Sequence, residues 1–143
     1  MTLLAIFFTV AVFVPVAVNL YAVRVDKHMH DALCMSFVVL TIWGLTRFMH
    51  MTLGEPEGKA MNPLLDVLGG MFALRSWLEF HKGWKVLLMG LFLAQCILAV
   101  PYWYGHETGG VVLPYLDYVR LNNILWLAQI VCISWPGVGQ GRI

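Results

Sequence analysis

Three stretches of the chain contain no Asp, Glu, Lys, Arg or His: residues 1–23, 86–105 and 121–141. The hydrocarbon core of a bilayer is about 30 Å thick, and about 20 apolar helical residues cross it. Each stretch therefore has the length and the polarity of a membrane-spanning helix. Because an irregular chain leaves backbone polar groups unpaired in lipid, helices are the structure that these stretches predict.

The composition of the whole chain indicates the same class of protein. Hydrophobic residues make up 60% of the 143 residues and charged residues 12%, about half the charged share of a soluble domain. The formal net charge is +1 and Lys and Arg form no cluster, so we expect no nucleic-acid partner. The short connectors predict one membrane-embedded domain over residues 1–143, with the lipid bilayer as its partner.

The first apolar stretch and the cysteines have structural interpretations. The stretch has no basic start and is longer than the apolar part of a signal peptide, about 7 to 15 residues. We therefore expect a retained span, with a kink at Pro15. Cys34, Cys96 and Cys132 lie in apolar segments and form no C-x-x-C pair, so we interpret them as small core side chains.

The predicted fold is an all-α, polytopic transmembrane helical bundle with five spans. The spans cover residues 2–23, 32–53, 63–80, 84–104 and 114–135, each to within a few residues. Glycine, proline and charged residues predict a loop over residues 54–59, and another is expected around residues 106–110. Pro136 is expected to end the last helix at Trp135.

The third segment leaves the number of spans open. Asn62 and Pro63 suit the start of a helix, but the segment also contains Asp66, Arg75 and Glu79. The alternative fold therefore has four spans, with this segment lying in the membrane interface as an amphipathic helix. The positive-inside rule does not choose, because either topology divides the nine Lys and Arg residues six to three.

A helical projection of the third segment favours a span. Gly69, Gly70 and Ala73 gather on one side together with Asp66, while Arg75 and its neighbours lie on roughly the opposite side. Small residues allow two helices to approach closely. We therefore interpret the three small residues as a helix-packing face and expect Asp66 to make a polar contact within the bundle.

Two glutamines lie inside the charge-free stretches. Gln95 and Gln129 occupy matching positions in two similar octapeptides, residues 91–98 and 125–132. An unpaired amide in hydrocarbon costs several kcal/mol, so each should contact another helix or a polar cavity. If the last two helices are antiparallel with level ends, Gln95 lies about 13 Å and Gln129 about 22 Å below the shared face. At those depths the two amides need not bond each other.

Three pairs of opposite charges have the spacing of neighbours on one helix surface. They are Lys27 with Asp31, Arg75 with Glu79, and Asp117 with Arg120. Side chains three or four residues apart on a helix lie side by side, so we expect local ion pairs. The position of the Arg75 pair near the end of its helix predicts that it lies at the interface.

The histidines are the candidates for a metal or cofactor site. His28, His30 and His81 share the inner face in the five-span topology, and no histidine lies at mid-membrane. Because residues i and i+2 point about 200° apart on a helix, His28 and His30 bind one metal only if that end is unwound. A bis-histidine haem needs facing imidazoles at matched depth. The leading interpretation therefore includes no cofactor.

No nucleophile motif, Walker loop or dinucleotide fingerprint occurs, so we expect a non-enzymatic protein. The leading hypothesis is a small membrane protein that assembles in the bilayer, by self-association or with other membrane subunits, as a pore-forming or scaffold component. Its size and short loops are similar in shape to those of phage holins and other small accessory membrane proteins, which implies a bacterial-type inner membrane. The charged C-terminal tail common in holins is reduced to Arg142. The rival hypothesis is a redox-complex anchor that holds haem, metal or quinone.

Overall fold

The computed structural model describes residues 3–26, 29–54, 62–110 and 113–138. These ranges contain helices and connectors, and no β-strand. The helical segments are α1 (Leu3–Ala11), α2 (Phe13–Val25), α3 (His30–Leu53), α4 (Asn62–Glu79), α5 (Gly83–Thr108) and α6 (Tyr115–Val138). Because α1 continues into α2 through a single residue, the segments amount to five helices. The predicted all-α helical bundle is confirmed.

Val12 separates α1 from α2, three residues before Pro15. Val12 keeps right-handed helical angles, with φ of -66° and ψ of -24°, and its N–H donates to the carbonyl oxygen of Phe8 at 3.2 Å. Pro15 has no N–H, and its ring crowds the carbonyl oxygen of Ala11. The disturbance expected from Pro15 is therefore found one turn earlier, as an interruption of the helix at Val12.

The fifth segment, α5, is longer than the sequence predicts. It continues through Pro101 to Thr108, where Gly109 ends it with a left-handed φ of 70°. Residues 106–108, expected in a loop, are therefore helical. A proline removes one backbone hydrogen bond, and in a bundle the neighbouring helices compensate for that loss. The glycine, which adopts a left-handed conformation without strain, decides where the helix stops.

The ends of α6 and α3 also differ in detail from the expectation. α6 continues through Pro136 to Val138, so the predicted stop at Trp135 is wrong. A proline close to the end of a helix removes only one bond of the last turn and does not prevent the turn from forming. Of the loop expected over residues 54–59, the structure describes Gly54 alone, which ends α3 with a φ of 72°.

α4 and α5 form an antiparallel hairpin joined by a turn of three residues. The two helices touch at three levels: Pro63 with Cys96, Gly69 with Phe92, and Ser76 with Lys85. In the turn, the N–H of Lys82 donates to the carbonyl oxygen of Phe80 at 2.7 Å. The contacts extend over nearly the whole of α4, so its axis lies alongside that of α5.

The remaining helices complete a ring. α5 and α6 are antiparallel, with contacts between Tyr102 and Tyr118, Gln95 and Gln129, and Trp84 and Cys132. α2 packs against both α3 and α6, and α3 packs against α4. Each helix of the ring therefore has at least two neighbours, and α3 also contacts α6 across it. The helices lie along one common axis, and consecutive helices run in opposite directions.

The two ends of the ring have different interiors. One, the lysine end, contains Lys85, Asp31 and Ser76, and the other, the cavity end, contains His50 and Asn62. The main apolar cluster fills the bundle from the lysine end to its middle and includes Met29, Met35, Trp84, Leu88, Phe92 and Ile133. The interior of the cavity end is not filled in this way.

Within the part of the chain that the structure describes, three helices are long and apolar enough to cross a membrane: Ile6–Val25, His30–Leu53 and Gly83–Gly105. They correspond to three of the five predicted spans. Large apolar side chains cover the outside of the bundle, such as Phe48, Met71 and Leu93, each about 60% exposed. An apolar exterior of this kind suits lipid, which is consistent with a membrane protein.

The cysteines take three different positions. Cys132 is buried and Cys96 is partly buried, whereas Cys34 is exposed. The prediction that all three are core side chains is therefore wrong for Cys34. It lies on an outward stripe of α3 with Phe37 and Leu45, and an apolar thiol is as suitable for lipid contact as for a core.

Candidate functional site

A cavity of about 280 Å³ lies inside the cavity end, lined by side chains from α1, α3, α4, α5 and α6. Its polar lining includes one carboxyl group, Asp66, and the amides of Asn62, Gln95, Asn122, Asn123 and Gln129. A water molecule occupies about 30 Å³ in the liquid, so the space suits several waters or one small organic molecule. Polar groups thus surround a space in the interior of a bundle whose exterior is apolar.

Gln95 and Gln129 form a chain of amides on one wall of the cavity. The Nε2 group of Gln129 donates to Oε1 of Gln95 at 2.6 Å, and Nε2 of Gln95 donates to Oδ1 of Asn122 at 3.1 Å. Both glutamines are buried, with 2% and 1% exposure. Each amide that the sequence places in a charge-free stretch therefore has a protein partner.

The register of α5 on α6 explains why the two glutamines meet. The rings of Tyr102 and Tyr118 stack, with centroids 4.3 Å apart. This places the two helices about two residues, or about 3 Å, away from the level-ended arrangement. The shift moves Gln95 about 3 Å closer to the level of Gln129, and the flexible side chains cover the rest of the distance.

Asp66 lines the cavity from α4. Gly69 and Ala73, one and two turns further along the helix, are both buried, so these spacings place Asp66 on the inward face. No hydrogen bond or ion pair links its carboxyl group to a side chain or backbone group of the described ranges. The cavity therefore contains one carboxyl group that no described cation neutralises.

The small residues of α4 allow the close approach that forms this wall. A Cβ atom on Gly69 would lie 2.7 Å from Cδ1 of Ile42 and closer still to the ring of Phe92. Ala73 is completely buried, whereas a Cβ on Gly70 would meet Phe92 only at an ordinary 3.5 Å. Gly69 thus lies against both α3 and α5, beside Ile42 and Phe92, which line the cavity.

The mouth of the cavity carries a basic group and an imidazole. Nε2 of His50 lies 3.3 Å from Oδ1 of Asn62, which links the end of α3 to the start of α4. The exposed guanidinium of Arg47 lies 5.7 Å from the centroid of the Trp43 ring, a cation–π contact. All four side chains line the cavity.

Asn19 joins three helices below the cavity. Its Nδ2 group donates to Oγ of Ser36 at 2.8 Å and to the carbonyl oxygen of Ile133 at 3.0 Å, and its side chain is completely buried. The sequence analysis did not select Asn19 as a site residue. The signal was present, since Asn19 is the single amide of the first charge-free stretch.

Lys85 forms a buried ion pair with Asp31 at the lysine end. The Lys85 side chain has 0% exposure and that of Asp31 16%. Nζ of Lys85 also donates to the carbonyl oxygen of Ser76 at 2.7 Å, and Oγ of Ser76 donates to Oδ1 of Asp31 at 2.6 Å. The rings of Phe80 and Trp84 lie beside the ammonium group, at 5.2 and 5.6 Å. The cluster joins the ends of α3, α4 and α5.

The other charge pairs are local and exposed. Arg75 and Glu79 lie 3.5 Å apart, and Arg120 and Asp117 lie 3.7 Å apart, on the surfaces of their own helices. Lys27, the expected partner of Asp31, lies outside the described residues. Asp31 pairs across the bundle with Lys85, a contact that helical spacing within one segment does not predict.

The histidine candidates lie at the lysine end. His30 and His81 are exposed, and the ring of His81 stands edge-on to Trp77 with centroids 4.9 Å apart. His28 lies outside the described residues. Among the side chains that the structure does place, no three His, Cys, Asp or Glu residues form a group that could hold a metal ion.

Comparison with known proteins assigns no family. No family model, no curated protein and no solved structure matches the chain. The chemistry of the cavity therefore decides what the arrangement can do. Amides and a carboxyl group that face an internal space can bind polar solutes by hydrogen bonds and charge, and an ionisable group at membrane depth is a candidate for such a role.

Proposed function

We propose that the chain crosses the bilayer five times. An interfacial helix runs roughly perpendicular to the spans and touches each of them at one level. α4 instead contacts α5 at levels marked by Pro63, Gly69 and Ser76, and α5 is apolar enough to span. α6 runs along α5 in the same way. Because the axes of α4 and α6 lie alongside that of α5, this packing supports spans for both helices, although both are more polar than the other three.

Reporter fusions test the number of spans. A reporter after Lys59 and another after Lys82 are expected on opposite sides of the membrane, with the N-terminus outside. Fusions that report the same side would establish four spans and place α4 in the interface.

We further propose that the protein is a non-enzymatic, pore-forming membrane component whose polar path lies inside the bundle. The observation that carries this proposal is the 280 Å³ cavity, which extends from His50 at its mouth to Gln95 and Gln129 in the middle of the bundle. Lipid cannot hydrogen-bond the amides of this lining, whereas water or a polar solute can. The cavity favours a pore-forming component over a scaffold, because a scaffold needs no polar interior.

In this proposal the path is closed at rest. Below the cavity, Asn19 bonds α2 to α3 and α6, and apolar side chains such as Leu88 and Ile133 fill the space. Opening requires these helices to separate at the lysine end. Assembly with other copies or other membrane subunits then sets bundles side by side, and the path remains within each chain.

The holin-like form of the proposal places the path between copies instead. That form requires Gln95 and Gln129 to turn outward and line a shared opening. In the structure the two amides bond to each other and to Asn122, inside one bundle. The internal path is therefore the form that we propose.

Leakage measurements test the proposed path. Because the lysine end is expected to open transiently, expression of the wild-type chain should lower the membrane potential, measured with a potential-sensitive dye. The double substitution Gln95→Leu and Gln129→Leu removes the polar wall and is expected to relieve the leakage. Thr41→Leu, on the outward surface of α3, is the matched control and should leak as the wild type does. Undiminished leakage in the double variant would remove the glutamines from the mechanism.

A further inference from the structure

We propose that the cavity binds a small organic ammonium ion and that Asp66 is its counter-ion. This inference rests on the proposed function, since it names the class of solute that the polar interior accepts. Three independent properties of the cavity support it: its charge, the aromatic groups in its walls, and its size.

The charge of the cavity favours a cation. The carboxyl group of Asp66 faces the space and has no ion pair within the described ranges. Two basic side chains are differently placed: Arg47 is exposed at the mouth and lies over Trp43, and Lys85 is at the lysine end with Asp31. A cation stabilises the ionised form of a carboxyl group inside a bundle, and a bound ammonium group supplies that cation.

The aromatic walls favour an organic rather than a hydrated inorganic cation. The rings of Trp43, Trp126, Tyr118 and Phe92 line the same space as Asp66. The face of an aromatic ring attracts an ammonium group within about 6 Å, and most strongly when water is excluded. A small metal ion would instead need several oxygen ligands around it. A carboxyl group surrounded by rings therefore matches an alkylammonium ion.

The amides add hydrogen bonding to the remainder of the ligand. In the chain of amides, Oε1 of Gln95 and Oδ1 of Asn122 accept hydrogen bonds from protein. Gln129 also lines the cavity, and its Oε1 accepts no hydrogen bond within the described ranges, so this oxygen can accept one from a ligand N–H or O–H. The cavity volume of about 280 Å³ is just below the range of drug-sized sites, about 300 to 1,000 Å³. The ligand class is therefore a small amine or quaternary ammonium compound that also carries a hydroxyl group.

Choline and its uncharged isostere, 3,3-dimethylbutan-1-ol, test the charge requirement because they have the same shape. The full chain is placed in lipid nanodiscs and each compound is titrated while tryptophan fluorescence is recorded. Choline is expected to bind at least about tenfold more tightly than the isostere. Asp66→Asn is expected to abolish this preference, and Asp117→Asn, a control at an exposed carboxyl group of α6, is expected to preserve it.

Several outcomes would overturn the proposal. Equal binding of the two compounds, or an unchanged preference in Asp66→Asn, would show that Asp66 is not the counter-ion. Competition by equimolar KCl would show a site for any cation. A second variant, Trp43→Leu, keeps the carboxyl group and is expected to weaken the binding of choline but not that of the isostere. It therefore tests the site without relying on the Asp66 variant, which could lose binding by misfolding. Leakage through the glutamine path without a choline preference would reject the ligand and leave the proposed function standing. A choline preference without leakage would support the ligand and reject the pore.

Discussion

The lysine end and the cavity end both bury polar side chains, and they differ in what those side chains meet. At the lysine end the buried ammonium of Lys85 is neutralised by Asp31 and bonded to Ser76. At the cavity end Asp66 faces open space. Polar groups that bond to each other hold helices together, whereas polar groups around a space remain available to a solute. We therefore expect the lysine end to contribute more to stability, whereas the cavity end contains the proposed solute site.

The largest expected effect is at the lysine end. Lys85→Met leaves Asp31 mostly buried without its cation, which we expect to lower the free energy of unfolding by about 3 kcal/mol. The measurement is unfolding in mixed micelles titrated with SDS and followed by tryptophan fluorescence. Arg75→Met, in an exposed pair, is the control and should stay within about 0.5 kcal/mol of the wild type. Equal effects of the two substitutions would show that burial adds nothing to the Lys85 pair.

The next effect is beside the cavity, where Gly69 lies against α3 and α5. Gly69→Leu places a side chain where Ile42 and Phe92 already lie, and we expect a loss of about 2 kcal/mol from overpacking. Gly90→Leu is the matched control, because a Cβ on Gly90 meets nothing within 4 Å. The same unfolding titration measures both. A stable Gly69→Leu variant would mean that α4 does not approach α5 as closely as described.

A smaller effect compares the same side chain in the two regions. Asn19→Ala removes an amide that donates to Ser36 and Ile133, and we expect a loss of about 1 kcal/mol. Asn123→Ala removes an amide that lines the cavity and has no described hydrogen bond, so we expect no measurable loss. If the two variants unfold alike, the distinction between a packed and an open region is wrong.

Local pattern was sufficient for the helices. Charge-free stretches predict where three of the helices lie. Gly54 ends α3 at the start of the expected loop, whereas Gly109 ends α5 about four residues beyond the predicted end at Tyr104. Pro136 misled the prediction of the end of the last helix. Pro101 and Pro136 are within helices, because packing in a bundle compensates for one lost hydrogen bond. Such compensation depends on neighbouring helices and leaves no trace in the local sequence.

The site could be predicted only in part, because its contacts depend on how different helices pack against each other. Gln95 and Gln129 were selected from their depth alone, but their bond requires the register that the stacked Tyr102 and Tyr118 set. Spacing within one segment predicts Lys27 as a partner of Asp31. It says nothing about Lys85, which pairs with Asp31 from more than fifty positions later in the chain. The cavity is a space that remains between the packed helices, and no local sequence motif predicts such a space.

The hairpin of α4 and α5 has a consequence for how the chain is made. α4 contains Asp66 and Arg75 and is less apolar than its neighbours, and charged residues oppose insertion of an isolated helix by the translocon. In the folded bundle, Nζ of Lys85, the third residue of α5, donates to the carbonyl oxygen of Ser76 in α4 across a turn of three residues. We therefore expect α4 to remain outside the hydrocarbon core until α5 has been synthesised. The two helices then insert into the bilayer together, as one hairpin.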